Sequence, residues 1–347
     1  MSDQTSSNRA PYEEYEQFYD PDWAEAARSA NRRKSRPRLL RETEAEVRRL
    51  TDEVSSQEIG FKTSYQPARF EAGWLLNSLI PFYDLDLIRD VLAIVKGGKE
   101  ANVYRCAGGP AAGDPLVAVK VYRPRQFRNL RNDRMYREGR EVLSADGHVV
   151  KKTDHRVMRA LGKKTAFGVQ VAHTSWLMYE YTTLQHLHAT GAAVPRPIAV
   201  AENAILMGYV GDAQRAAPTL HEVRLPLAEA RTLFEEVLHN IEVMLAADQV
   251  HGDLSAYNIL YWEGKITIID FPQVTSAIGN THARAILTRD IQRVCDYFAL
   301  QGVASQPRAI ADHLWQRFQA RSEKEVLADL SRTLAALNID GDEDEDE

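Results

Sequence analysis

The stretch Val250–Asn258, VHGDLSAYN, runs directly into Ile259–Phe271, ILYWEGKITIIDF, and its reading decides the fold. Asp253 and Asn258 stand five residues apart, a short hairpin turns at Glu263-Gly264, and Asp270 ends the return strand. Magnesium prefers hard oxygen ligands and commonly uses one or two carboxylates together with phosphate oxygens. A two-stranded ribbon brings its ends together, so Asn258 and Asp270 can lie side by side. Asp253 would remain free to orient a hydroxyl and accept its proton. The same residues also serve as ordinary turn and strand-end groups, so the rest of the chain has to decide.

Upstream, DVLAIVKGGKEANVYRC reads as strand, glycine turn, strand, and LVAVKVYR (Leu116 to Arg123) as a third strand with Lys120 near its end. Glycines in GGKEANVY let backbone amides approach phosphates. The stretch is not a Walker A loop, because Ala93 lies five before Gly98 and Glu100 follows Lys99. Alone, such a turn more often closes a hairpin than holds a nucleotide. Lys120 on an apolar strand would, in isolation, snorkel to solvent. Glu180 falls on a helical stretch from Thr174 to His188 closed by Gly191, and the two could pair so that the ammonium faces a phosphate. By itself Glu180 is equally a solvated helix residue.

PIAVAENAILMGYV (Pro197 to Val210) gives two strands around Glu202-Asn203, and LPLAEARTLFEEVLHNIEVMLAADQ an amphipathic helix. Helices around 283–301 and 307–337 close the chain. Strands first and helices later argue a two-lobed α+β protein. A length of 347 residues suits two domains or one bilobal unit. Cys106 and Cys295 are far apart and suggest neither a disulfide framework nor a cysteine zinc site. The first twenty residues lack the apolar core of a signal peptide, and the apolar runs are too short to span a bilayer. These features predict a reducing, cytoplasmic location and no membrane partner.

The net charge of −6 hides an asymmetry. Residues 123–164 hold 13 Lys and Arg against 5 Asp and Glu, whereas seven acids crowd Asp340 to Glu347. The basic segment reads either as a solvated loop or as a surface for RNA, where clustered cations gain from counterion release. Tyr122, Phe127 and Tyr136 are not regularly interleaved with it, so base stacking has little support. Residues 1–56 are polar and mixed in charge, with one short helical stretch, and read as a disordered arm. The expected layout is an N-lobe at 57–207 with a basic flexible insertion at about 123–168, a C-lobe at 208–337 and an acidic tail at 338–347.

The glycine turn, strand lysine, helix glutamate, HGDLSAYN and IIDF, in that order, resemble the protein-kinase superfamily. More narrowly, GGKEANVY, HGDLSAYN and IIDFPQ are similar to the glycine loop, catalytic loop and metal-binding segment of the RIO-type atypical protein kinases. The resemblance covers roughly Phe61 to Val303. It implies a bilobal kinase-like fold, with ATP held by Gly98, Lys99, Glu100, Val103 and Lys120. Met207 would be the gatekeeper, with the backbone of Gly208 and Val210 facing adenine. It further implies that Lys120 pairs with Glu180, that Asp253 is the catalytic base, and that Asn258 and Asp270 hold magnesium. Asp270 could itself be phosphorylated. A serine/threonine kinase or ATPase acting on a ribosomal precursor or other ribonucleoprotein is the implied function. A small-molecule phosphotransferase of the aminoglycoside or choline kinase type, or an ATP-binding scaffold without catalysis, would share these residues. Gly252 stands where ordinary protein kinases carry an Arg, Ser255 replaces their loop lysine, Pro272 the glycine of D-F-G, and no A-P-E follows.

Overall fold

The computed structural model describes residues 63–320, apart from 99, 124–137, 139, 152 and 164. The expected N-terminal arm, the acidic tail, Lys99, Phe127, Tyr136 and the closing helix beyond residue 320 lie outside the described residues.

Helix α1 (Arg69–Asp84) precedes strands β1 (Ile88–Gly97), β2 (Ala101–Gly108) and β3 (Leu116–Tyr122). Helices α2 (His155–Lys163) and α3 (Ala166–Ala189) follow, then β4 (Pro197–Ala201) and β5 (Ala204–Gly208). The five strands form one antiparallel sheet in the order β1-β2-β3-β5-β4. Strand periodicity explains how this sheet serves two purposes. Val117, Val119 and Val121 join Leu75, Leu79 and Phe82 of α1 in a buried cluster. The intervening Lys120 and Tyr122 face the other way, and Tyr122 packs with Ile205 of β5 and Trp176 and Leu177 of α3. One face of β3 is thus core, and the other carries the lysine.

Helix α4 (Leu227–Ala246) buries Ala230, Leu233, Phe234, Val237, Ile241, Met244 and Leu245, a stripe at three- and four-residue spacing. It packs in the largest apolar cluster with α5 (Ala283–Leu300) and α6 (Pro307–Gln319). Between α4 and α5 lie β6 (Gln249–Val250), the hairpin β7 (Ile259–Trp262) and β8 (Lys265–Ile268), and β9 (Thr275–Ser276), which pairs with β6. The hairpin turns at Glu263 and Gly264, with φ of 48° and 79°. Two positive φ values in a two-residue loop match the right-handed twist of the flanking strands. The sheet lobe and the helical lobe make up the expected α+β, kinase-like architecture.

The helix carrying Glu180 begins at Ala166, eight residues before the expected Thr174, and α2 occupies part of the segment read as a loop. Thr165 caps α3 by accepting the Gly168 amide, 3.1 Å away. A side chain at Gly168 would meet the Ala160 carbonyl oxygen at 2.0 Å, so only glycine lets α2 and α3 approach this closely.

Candidate active site

Lys120 points from β3 into the space between sheet and helices. Its Nζ is 2.6 Å from Glu180 Oε1 and 2.5 Å from Asp270 Oδ1. Tyr122, two residues along the same face, donates its hydroxyl to Glu180 Oε2. Burial alone would lower the Lys120 pKa, but the Asp270 and Glu180 carboxylates outweigh it and hold it well above its ordinary value. Burial likewise opposes ionisation of Asp270, and the Lys120 ammonium prevails, drawing its carboxyl below the usual value. Both groups therefore stay charged at neutral pH. The lysine is shared between two carboxylates, whereas pairing with Glu180 alone was the expectation.

Asp270 has a φ of 74°, one of four positive values among the described non-glycine residues. Left-handed backbone is uncommon for a side-chain-bearing residue and accompanies functional placement when the surroundings enforce it. Here the surroundings are explicit. Ile259 pairs with Ile268 at the hairpin base, and the Ile269 amide donates to Asn258 O at 2.9 Å. Asn258 and Asp270 thus flank the open end of one ribbon. Beyond Asp270, Arg140 reaches from the basic segment to donate to Pro272 O (2.7 Å) and Val274 O (2.5 Å), its guanidinium 4.5 Å from the centroid of the Tyr179 ring.

The other half of the site is the loop before β7. Gly252 adopts φ 82°, and a Cβ there would lie 2.3 Å from Gln273 O, which accounts for glycine at this position. Its N–H donates to Asp290 Oδ2 of α5 at 2.8 Å, and its carbonyl accepts from Arg289. His251 is buried, accepting the Asp253 amide on Nδ1 (3.2 Å) and lying 3.1 Å from Ile269 O through Nε2. An amide donor at Nδ1 assigns the ring proton to Nε2, so the imidazole ties the loop to the strand that delivers Asp270. Asn258 donates its side-chain nitrogen to Asp253 O (2.9 Å) and to Asp253 Oδ2 (3.3 Å).

Asp253 also has a cationic partner. Arg293 Nη1 of α5 lies 2.7 Å from its Oδ1, both side chains mostly buried. Burial raises the Asp253 pKa, the facing carboxylates of Asp290 and Asp270 add to the effect, and Arg293 and His251 offset part of it. Sequence reasoning missed His251, Asp290 and Arg293. The spacing of Asp290 and Arg293 with the buried Ile286, Leu287 and Val294 marks them on the inward face of α5 and was the available signal.

The glycine turn joins β1 to β2, the neighbour of the strand that carries Lys120. Gly98 N donates to Asn102 Oδ1 (3.3 Å), and Val103 pairs with Lys120 across the sheet. Glu100 O accepts the Arg123 amide at 2.9 Å. Toward the end of β5, Met207 lies opposite Ala118, Gly208 N donates to Arg196 O (2.8 Å), and Val210 O accepts the Ala217 amide (2.9 Å). Among the described residues, no group of three or more His, Cys, Asp or Glu could hold a metal by itself. The fitting donor set is instead the oxygen pair of Asn258 and Asp270. The amide nitrogen of Asn258 is committed to Asp253, and Lys120 takes only Oδ1 of Asp270, whose side chain remains 40% exposed. Two hard oxygens suit magnesium when phosphate oxygens complete its shell.

A sheet lobe and a helical lobe with a lysine–glutamate–aspartate cluster between them define the kinase-like class. The family model of the RIO domain matches residues 102–310, more than half of the chain. The protein belongs to the RIO-domain family. It is 33% identical over 210 residues to the RIO-type serine/threonine-protein kinase Rio1 of Haloferax volcanii, which covers 60% of this chain and 63% of that relative. To the serine/threonine-protein kinase RIO1 of Chaetomium thermophilum it is 29% identical over 231 residues, 63% of this chain and 41% of the other. The chain thus spans less than two thirds of these relatives' length. A solved Rio2 kinase–ADP/Mg2+–phosphoaspartate complex from Chaetomium thermophilum is similar with a TM-score of 0.49 and 18% identity, over 79% of each chain. No helix among the described residues is long and apolar enough to cross a membrane.

Proposed function

We propose that the protein is a magnesium-dependent phosphotransferase that moves the γ-phosphoryl group of ATP to a serine or threonine hydroxyl, to its own Asp270, or to both. The observation that carries this reading is the Lys120 ammonium held by Glu180 and Asp270, with Asn258 and Asp253 grouped beside it. Membership of the RIO-domain family supports it.

In this reading Lys120 contacts the α- and β-phosphates, and the turn around Gly98 covers them, with Lys99, Glu100 and Val103 alongside. The adenine meets the edge after Met207 through the backbone atoms not spent in the two bonds described above, Gly208 O and Val210 N. Asn258 and Asp270 would hold magnesium, which when bound would offset phosphate charge and align the γ-phosphoryl group. Asp253 accepts the proton of the acceptor hydroxyl. The acceptor oxygen forms a bond to the γ-phosphorus, the bond from that phosphorus to the bridging oxygen breaks, and its electron pair leaves on ADP. Positioning and charge supply most of the rate in such a transfer.

The direction of the Asp253 shift fixes a pH dependence. The base works only when ionised, and its pKa lies above the ordinary carboxylate value of 3.8. The acid limb of kcat should therefore fall above that pH, with activity rising as pH increases through it. An acid limb at or below 3.8 would contradict the assignment.

The acceptor is tested by incubating the protein with magnesium and γ-labelled ATP and treating the labelled product with hydroxylamine. Labile label places an acyl phosphate, most simply on Asp270, and makes the protein an ATPase that cycles through it. Stable label on serine or threonine makes it a protein kinase. Neither label nor released phosphate would contradict the proposal.

For the partner we propose RNA or a ribonucleoprotein met through the basic segment. Arg156, Arg159 and Lys163 are exposed on α2 at spacings of three and four, which places them along one side of the helix. Reversing Arg159 and Lys163 to Glu should weaken RNA binding and reduce its dependence on salt. The log–log slope should flatten by roughly 0.7–0.9 for each phosphate that is no longer neutralised. Unchanged affinity and slope would remove this partner.

A further inference from the structure

The 250–258 loop carries no lysine or arginine: its one basic residue, His251, accepts the Asp253 amide rather than meeting the carboxylate, and Ser255 is neutral and buried. Among the described residues, α5 brings a cation to hydrogen-bonding distance. One turn of that helix meets the loop at three atoms: Asp290 at Gly252 N, Arg289 at Gly252 O and Arg293 at Asp253 Oδ1. The first two hold backbone, and of the three only Arg293 holds the reacting side chain. Its guanidinium is 9% exposed and the Asp253 carboxylate 18%, so the pair is shielded from the solvent screening that weakens surface ion pairs.

We infer that Arg293 is a positioning residue for phosphoryl transfer, which takes up Oδ1 of Asp253 and so leaves Oδ2, steadied by Asn258, to receive the acceptor proton. The inference rests on the phosphotransfer reading above. A carboxylate on a loop can rotate about its terminal bond and present either oxygen. A guanidinium on a helix at 2.7 Å removes that freedom, because helix-borne groups hold position better than loop-borne ones. The charge has a second effect. Asp253, Asp270 and Asp290 gather carboxylates where an anionic nucleotide must enter, and Arg293 lowers that repulsion from behind the loop, away from the phosphates.

The test compares Arg293→Met and Arg293→Lys in the full chain, each on the native and on the Asp253→Asn background, by steady-state turnover of Mg-ATP. On the native background Arg293→Met should lower kcat by roughly 10²-fold, the scale of a misplaced reacting group. KM for ATP should change by less than about threefold, because Lys120 and the glycine turn are untouched. Arg293→Lys should recover much of the loss. On the Asp253→Asn background the same substitutions should change the residual rate little, since there is no base left to orient. If Arg293→Met does not fold, Arg293→Gln, neutral but still polar, gives the same comparison on the two backgrounds. Native kcat in Arg293→Met, or an equal loss on both backgrounds, would overturn the inference and leave the phosphotransfer reading standing. An unmutated protein without turnover would overturn both.

Discussion

The two aspartates of the site are held in opposite ways. Asp253 is gripped locally, by Arg293 forty residues downstream and by Asn258 five residues away, all in the helical lobe. Asp270 is gripped from a distance, by Lys120 on the sheet 150 residues upstream, and the segment after it by Arg140 of the basic insertion. The group proposed to handle the proton is therefore held by contacts within the helical lobe. The group that would face the metal and phosphates is in place only when sheet, insertion and helical lobe meet. In the proposed function, the proton-handling group would thus belong to one lobe, and nucleotide engagement would need both.

Breaking the long-range grip should have the larger effect on the folded molecule. Lys120→Met leaves Glu180 buried without its cation, and removing one partner of a buried pair costs about 3–5 kcal/mol. Nucleotide affinity should fall with it. Thermal unfolding and an ATP titration read the two losses, and native behaviour in both would separate Lys120 from the site. Gly252→Ala strikes the local grip instead. The strained φ and the clash with Gln273 O should cost about 3 kcal/mol, read in urea unfolding, and displace Asp253. A variant as stable as the parent would show that this loop yields more easily than its bonds to α5 imply.

Arg140→Ala sharpens the contrast with a smaller change. Loss of its bonds to Pro272 O and Val274 O should cost about 1.5 kcal/mol and raise the magnesium concentration needed for half-maximal turnover. It should leave the protein's response to Asp253 substitutions unaltered. A magnesium dependence identical to the parent's would mean that the insertion does not steady the Asp270 segment.

Much of this was legible from local pattern. The valines of β3 alternate with Lys120, the Glu263-Gly264 turn announces its hairpin, and the stripe of α4 repeats every three or four residues. Each depends on residues close in sequence. What escaped depends on residues brought together by packing. The early start of α3 rests on Gly168 lying against Ala160 of α2, an approach that no periodicity reveals. Nothing near Arg293 in the sequence names its partner; the fold sets it against Asp253. Arg140 lies in a segment whose charge suggests solvent, yet its guanidinium stacks on Tyr179 and reaches the backbone beyond Asp270.

The most direct measurement is a single-turnover reaction of γ-labelled ATP with magnesium, run beside equilibrium ATP binding, for the native protein and Asp253→Ala. A general base gives roughly 10²–10⁴-fold, so the variant should bind ATP nearly as tightly as the parent and transfer the phosphoryl group slower by about that factor. Undiminished transfer by Asp253→Ala would contradict the division of labour between the two aspartates.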